Sequence, residues 1–263
     1  MIALKEPLTG VQLYTLRRFT KTPEDFDDTL RRLAQMGVRE VQISAIGDIS
    51  PEAQRESLAR HGMRVCVTHQ NFDRIQNELP ALIALHKTIG CDALGLGYAP
   101  DAQRTDLPTA RAFIRQLETT AQTLRAHGIG FHYHNHAFEF APLPGSDRSL
   151  MDLLLEETDP ALISLIPDVA WIHFAGHDPA AFLARVASRV KVVHFKDYVP
   201  DTPDAPRFVS LGQGVVDLPA CFAVCREKEI PYVMYEQDSG WTNDDPFRAT
   251  AESLAYFDRL HAG

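Results

Sequence analysis

The sequence has few cysteines and no long apolar run. Its four cysteines include no C-x-x-C pair, which argues against a zinc ribbon or a disulfide framework. Cys221 and Cys225 are four apart in a predicted helix and are expected to pack in the core. No stretch approaches the roughly 20 apolar residues of a membrane span. The first residues lack a basic region followed by an apolar run, so we expect a cytoplasmic protein.

Positive charge is also scarce. The chain has 26 Lys and Arg against 35 Asp and Glu, a formal net charge of −9. This balance gives no electrostatic reason to expect binding to nucleic acid or to an anionic membrane. The 263 residues are enough to bury a large core, and length alone allows either two domains or one α/β barrel.

Short β-rich apolar runs alternate with segments of helical period along the whole chain. Several helix starts pair a capping side chain with proline at the first helical position, as in Thr22-Pro23 and Ser50-Pro51. Glycines such as Gly37 end the helices shortly before the next run. The runs are residues 10–14, 40–44, 64–68, 93–97, 130–134, 163–168, 191–195 and 232–236.

Eight such units predict a closed (β/α)₈ TIM barrel, an α/β fold that forms a single domain over residues 1–263. An open dinucleotide-binding sheet usually has a glycine-rich turn after its first strand, and residues 12–17 contain no such turn. No linker, low-complexity tract or further repeat interrupts the βα rhythm.

Polar side chains collect where the fifth predicted strand ends. Period-two alternation puts His132, His134 and His136 on one face, and Glu139 follows. One such histidine would be explained as a core residue, but three followed by a glutamate are hard to explain in that way. In a barrel, the carboxyl ends of the strands share one mouth, so these residues predict a functional site there.

The next three strands end in similar groups. Asp168 ends the sixth run, where capping the following helix is an alternative role, and His194 with Lys196 and then Glu236 end the seventh and eighth. Mixed nitrogen and oxygen ligands suit a divalent ion such as Mn²⁺, Co²⁺, Mg²⁺ or Zn²⁺. The alternative is a polar network that binds no ion. Further candidates for contacts with the substrate end the first and third strands: Gln12, Tyr14 and His69.

Taken together, these motifs resemble the sugar phosphate isomerase/epimerase superfamily of xylose isomerase-like TIM barrels, which also holds a type of AP endonuclease. The resemblance covers essentially the whole chain. Its most specific segments are residues 133–140, 168–171, 175–179, 194–197, 212–217 and 236–238.

The resemblance implies one divalent ion, Mn²⁺ first, held by a carboxylate after the fifth strand and by Asp168, His194 and Glu236. Many relatives have Glu-Asn-His at the fifth strand, whereas this chain has His at 134. Either His134 replaces that glutamate or Glu139 folds back to supply the ligand. We favour Glu139, because a lone glutamate between two phenylalanines needs a partner if it is buried.

The resemblance further implies a sugar or polyol isomerase or epimerase that acts through an enediolate, with His134, His136, Glu139 and Glu236 as catalytic groups. Family epimerases use two glutamates on opposite faces of the substrate. Because this chain has a histidine at 134, the alternative is a dehydratase or lyase of a keto sugar or inosose.

Several roles follow for the remaining candidates and partners. Trp171 would stack on a sugar ring or pack in the barrel, and Lys196 would bind the substrate or pair with a carboxylate.

The expected partner is a small sugar or polyol, without nucleic acid or membrane, and a homo-oligomer is compatible with the sequence. A barrel endonuclease is disfavoured by the negative charge, and a catalytically silent sugar-binding barrel is the third class.

Overall fold

The computed structural model describes residues 6–201 and 205–262. An eight-stranded parallel sheet forms its centre, in the order β6-β5-β4-β3-β2-β1-β10-β7. The two end strands meet through bridges from Leu165 to Val190 and from Asp168 to His194, which close the sheet into a barrel. The predicted (β/α)₈ fold is confirmed. The strands of the barrel are β1 (Leu8–Gln12), β2 (Glu40–Ile43), β3 (Arg64–Gln70), β4 (Ala93–Leu96), β5 (Gly130–His134), β6 (Ile163–Ile166), β7 (Val192–Phe195) and β10 (Tyr232–Tyr235).

Helices surround the barrel, and their ends follow the predicted capping pattern. The side chain of Thr22 accepts a hydrogen bond from the backbone N–H of Asp25, and Pro23 occupies the first turn. Gly37 and Gly90 have positive φ, the left-handed conformation that ends a helix before the next strand. The helices are α1 (Pro23–Gln35), α2 (Pro51–Arg60), α3 (Phe72–Asn77), α4 (Leu79–Ile89), α5 (Leu107–Ala126), α6 (Leu150–Glu156), α7 (Val169–Phe174), α8 (Pro179–Val186), α9 (Leu218–Glu227) and α10 (Pro246–Ala262).

The main core lies between the sheet and the helices. Phe26 and Leu30 on α1 and Phe222 on α9 are buried there, each contributing about 1.5–3 kcal/mol of transfer free energy. Cys221 and Cys225, also on α9, are buried free thiols, as predicted. This layer holds the strand ends rigidly, so side chains that leave β5, β6, β7 and β10 in the same direction converge at one mouth.

A short hairpin that the sequence pattern did not predict follows β7. It pairs β8 (Asp197–Val199) antiparallel with β9 (Arg207–Val209). The buried carboxylate of Asp197 accepts backbone hydrogen bonds from Tyr198, Gly212, Gly214 and Val216. A Cβ at Gly214 would lie 2.2 Å from Oδ1 of Asp197, so only glycine fits this turn. The glycine motif at 212–214 is therefore a structural loop.

In the part of the chain that the structure describes, no helix is both long and apolar enough to cross a membrane. The amino-terminal stretch on which the expectation of a cytoplasmic protein depends lies largely outside the described residues, which begin at 6.

Candidate functional site

Four side chains from consecutive barrel strands converge at the carboxyl end of the barrel. They are His134 of β5, Asp168 after β6, His194 of β7 and Glu236 after β10, and all four are buried. One nitrogen or oxygen from each lies within 4.8 Å of the others. Two imidazoles and two carboxylates at this spacing form a ligand set suited to a divalent ion. These residues are called the four-residue cluster below.

The atoms that face one another in the cluster make ion-pair contacts but no hydrogen bond of good geometry. Nε2 of His134, Oδ2 of Asp168, Nδ1 of His194 and Oε2 of Glu236 are all buried without a hydrogen bond of good geometry. Nε2 of His134 lies 3.5 Å from Oδ2 of Asp168, and Nδ1 of His194 lies 2.7 Å from Oε2 of Glu236. All four atoms are buried and close enough to one another to share a single bound cation, which would satisfy them together.

The opposite atoms of the same side chains are held by the surrounding structure. Nδ1 of His134 donates to the carbonyl oxygen of Gly97 at 2.9 Å, and Nε2 of His194 donates to Oε1 of Gln42 at 2.7 Å. Each of these hydrogen bonds keeps a proton on the outer ring nitrogen, so the inner nitrogen could present a lone pair to a bound ion, which is how metal-binding histidines are oriented.

Asp168 uses its two carboxylate oxygens for different purposes. Oδ1 caps α7 by accepting hydrogen bonds from the backbone N–H groups of Ala170 and Trp171 at 3.0 and 3.1 Å. Oδ2 faces the cluster. The side-chain Oδ1 of Asn135 accepts a hydrogen bond from the backbone N–H of Asp168. Capping and ligation, which the sequence offered as alternatives, are therefore compatible in one side chain.

Lys196 lies among the carboxylates of the site. Its Nζ is 3.1 Å from Oδ2 of Asp168, Oε2 of Glu236 and Oδ2 of Asp238, and the side chain is only 1% exposed. Burial alone would lower the pKa of Lys196, but the three carboxylates raise it well above its usual value. Although burial opposes it, the ammonium group also lowers the pKa of Asp168 to about 2. The pairing expected as the alternative role of Lys196 is thus present.

Glu139 lies apart from the four-residue cluster. It is completely buried, and its two oxygens accept hydrogen bonds from the hydroxyl of Tyr133 at 2.8 Å and from the backbone N–H of His136 at 2.7 Å. Burial raises the pKa of Glu139 to about 7. The partner that a buried glutamate needs is therefore supplied locally. The structure brings His134 into the cluster, and not Glu139 as the sequence argument favoured.

The remaining predicted residues lie around the cluster. His136 has its ring centroid 5.0 Å from that of His134 and 5.2 Å from that of Trp171. The ring of His69 lies 5.1 Å from that of His134 on another side. Gln12 is buried next to His69, with Nε2 3.5 Å from Nδ1 of that ring.

Two further findings concern the periphery of the site. Tyr14 lies at the pocket wall beneath the guanidinium of Arg17, which is 4.1 Å from the centre of its ring. His132, which shares a strand face with His134, is instead buried inside the barrel, where burial lowers its pKa to about 3 and the charges that act on it are those of Lys191 and Asp92. Only two of the three alternating histidines therefore reach the mouth.

A pocket of about 850 Å³ opens over the cluster. Its wall includes Tyr14, His69, His136, Lys196 and Glu236, and it continues across the loop between β2 and α2 to helices α3 and α4. Pockets of this size enclose small organic ligands, and this one has enough room for a sugar or polyol beside the cluster.

Sequence reasoning assigned no role to two side chains that support the site. Gln42 is completely buried and orients His194 from the opposite side of the barrel. The sequence feature that could have indicated Gln42 is a polar residue within the second predicted strand. Asp238 pairs with Lys196 and follows Glu236 by two positions, so period-two alternation could have placed it on the same face.

Comparison with known proteins gives a family match and sequence matches to named enzymes. A family model described as a xylose isomerase-like TIM barrel matches residues 30–260. Inosose dehydratase of Geobacillus kaustophilus is 23% identical over 271 residues, covering 89% of this chain and 87% of that protein. The enzyme of the same name from Salmonella typhimurium is 29% identical, but the match covers only 48% of this chain and 42% of that protein.

Solved structures match over nearly the whole fold. A sugar phosphate isomerase/epimerase from Parabacteroides distasonis superposes with a TM-score of 0.80 at 20% identity, covering 97% of this chain and 98% of that one. An L-ribulose 3-epimerase superposes with a TM-score of 0.73 at 15% identity, covering 97% and 94%. At these identities the superpositions establish the shared barrel.

Proposed function

Because the chain belongs to the xylose isomerase-like TIM-barrel family, we propose that this enzyme is a divalent-metal-dependent dehydratase of an inosose-like keto polyol or keto sugar. A relative that matches 89% of this chain at 23% identity is named inosose dehydratase. Two features of the site support the same proposal: the residue types that would bind the ion, and the histidines that lie outside the four-residue cluster.

The four-residue cluster fits a divalent ion. It offers two imidazole nitrogens and two carboxylate oxygens, all buried, and the atoms that face one another make no hydrogen bond of good geometry. The ligand set is compatible with Mn²⁺, Co²⁺, Mg²⁺ or Zn²⁺, and Mn²⁺ remains our first prediction. A bound ion would supply Lewis-acid stabilisation of the enediolate that forms when a proton next to a carbonyl is removed.

The observation that carries the choice of dehydration is that the cluster holds one glutamate and not two. His134, the last residue of β5, occupies the place of that second glutamate, and both oxygens of Glu139 accept hydrogen bonds from other donors. The family's two-glutamate relay, which takes a proton from one face of the substrate and returns one to the other, therefore lacks one of its members. Elimination does not need that relay, because one base can serve both of its proton transfers.

His136 is positioned to be that base. It lines the pocket outside the four-residue cluster, and its Nδ1 is buried without a hydrogen-bond partner. In the proposed step, its neutral imidazole takes the proton next to the substrate carbonyl and then delivers it to the departing β-hydroxyl on the same face. The substrate loses one hydrogen and one hydroxyl, which leave as water, and an unsaturated ketone remains. Trp171, beside His136, provides an aromatic surface for the ring of the substrate.

One observation favours isomerisation or epimerisation as the second candidate. His69 also lines the pocket, and its Nε2 has no hydrogen-bond partner. Two uncoordinated histidines near the ring of His134, one on β3 and one beyond β5, would allow a proton to be taken on one side of the substrate and returned on the other.

Proton NMR in deuterated water distinguishes the two reactions. We expect the Mn²⁺-loaded protein, incubated with a panel of inososes and keto sugars, to give an unsaturated product and water. His136→Asn should abolish this product while retaining bound Mn²⁺, and the matched variant His69→Asn should retain it. Deuterium in an otherwise isomeric product, lost in both variants, would instead establish the isomerase.

A further inference from the structure

Lys196 places a positive charge at the position where the cluster would hold a cation. Its Nζ is 3.1 Å from Oδ2 of Asp168 and 3.1 Å from Oε2 of Glu236. These are the same two oxygens that face the histidine nitrogens of the four-residue cluster. A third contact, also 3.1 Å, joins Nζ to Oδ2 of Asp238, which lies outside the cluster.

The surroundings of Lys196 leave few other partners for its charge. The side chain is buried, and the nearest aromatic rings are Trp171 and Phe208, whose centres lie 5.8 and 5.3 Å from Nζ. Removing one partner from a buried ion pair leaves an uncompensated charge and is strongly destabilising. The ammonium therefore has a large electrostatic effect on the carboxylates of Asp168 and Glu236.

A divalent ion and the ammonium would compete for these contacts. Each would need the cluster-facing oxygens of Asp168 and Glu236, and two positive charges at that separation repel each other strongly in a buried site. Asp238 offers the ammonium a partner that is not a member of the cluster.

We propose that Lys196 is a built-in counter-ion of the ligand set. Its ammonium holds Asp168 and Glu236 in position before a metal ion binds. When the ion binds, the ammonium gives up its contacts with the two cluster-facing oxygens and keeps its ion pair with Asp238 at the pocket wall. This inference rests on the metal site of the proposed function. It makes Lys196 a positioning residue that acts through the ligands and that sets the affinity for the ion.

The proposal predicts opposite effects for two substitutions. Lys196→Met removes the competing cation and leaves the carboxylates unpaired in the metal-free protein, so Mn²⁺ affinity should rise about tenfold or more. The midpoint of thermal unfolding should fall without metal and be largely restored by Mn²⁺. Asp238→Asn removes the partner that receives the displaced ammonium, so Mn²⁺ affinity should fall.

Lys191→Met is the matched control, because Lys191 pairs with Asp92 away from the cluster at 2.5 Å. Its Mn²⁺ affinity should equal that of the wild type. Titration calorimetry with Mn²⁺ alone and thermal unfolding with and without Mn²⁺ measure all four proteins. General damage to the fold would weaken binding, so tighter binding by Lys196→Met cannot come from damage.

The outcomes separate this inference from the proposed function. A wild-type protein that binds Mn²⁺ while Lys196→Met binds it no more tightly overturns the inference and leaves the metal site standing. If Lys196→Met does not fold, an unchanged affinity in Asp238→Asn overturns it instead. A wild-type protein that binds none of Mn²⁺, Co²⁺, Mg²⁺ and Zn²⁺ overturns the proposed function and the inference with it.

Discussion

Replacing Gln42 by leucine tests whether the outer contacts of the cluster set its affinity for a metal ion. The carboxamide Oε1 of Gln42 is 2.7 Å from Nε2 of His194, and neither side chain is exposed. This hydrogen bond keeps a proton on Nε2, so Nδ1 is the nitrogen that would coordinate a bound ion. Leucine has a similar volume but no acceptor, so the ring of His194 would lose the contact that fixes its tautomer and orientation.

The expected loss of metal affinity follows from the single hydrogen bond between Gln42 and His194. Removing an outer hydrogen bond to a ligating histidine lowers metal affinity about 10- to 100-fold, which is about 1.4–2.7 kcal/mol. The stability of the metal-free protein should change much less. Leucine leaves Nε2 of His194 unpaired, at about 1–3 kcal/mol, but it also removes Nε2 of Gln42, which is itself buried without a partner. The two effects oppose each other.

Gln54→Leu provides the control for this prediction. Gln54 is also a buried glutamine with one unpartnered atom, but its Nε2 donates to the carbonyl of Ile49 and it does not contact the cluster. Mn²⁺ titration calorimetry and urea denaturation of the metal-free proteins give the two quantities. Equal Mn²⁺ affinity in Gln42→Leu and the wild type would refute the reasoning, and so would an equal loss in both variants.

Two further predictions concern the ligands and Glu139. Bound metal and turnover should be lost together in each of three variants: Asp168→Ala, His194→Ala and His134→Ala. Glu139→Gln should keep stoichiometric metal by elemental analysis. Loss of metal in Glu139→Gln but not in His134→Ala would show that Glu139, and not His134, is the ligand. Burial raises the pKa of Glu139 to about 7 from 4.5, so the folded protein holds a proton that the unfolded chain has released. The wild type should therefore lose about 3 kcal/mol of unfolding free energy relative to Glu139→Gln as the pH rises from about 4.5 to 8, measured by urea denaturation; parallel pH profiles of the two proteins would contradict this.

The barrel could be predicted from local signals because each signal involves neighbours in sequence. Thr22 caps the helix that Pro23 begins, and Gly37 ends it with a positive φ, as the pattern indicated. The order of the strands followed from strict βα alternation. The hairpin of β8 and β9 escaped because it depends on Asp197 meeting the backbone of residues 212–216, a contact that no local pattern encodes.

At the site, the sequence identified strand ends but not which atoms face one another. Asp168, His194 and Glu236 end apolar runs, and position alone brings them to one mouth. The choice between His134 and Glu139 depends on whether Tyr133 reaches the glutamate, which requires the conformation of the turn after β5. Gln42 was missed because its partner lies on β7, on another side of the closed barrel.

His134, the last residue of β5, affects both the net charge of the site and the reaction that we propose for it. With Asp238 ionised, three carboxylates and the ammonium of Lys196 carry a net charge of −2, which a divalent ion would neutralise. A glutamate at 134 would leave one negative charge in excess in a buried site. His134 avoids that charge, and the same replacement removes the second carboxylate that a proton relay across two faces needs. The residue that balances the charge of the site with Lys196 present is thus also the residue on which our proposal of elimination over epimerisation depends.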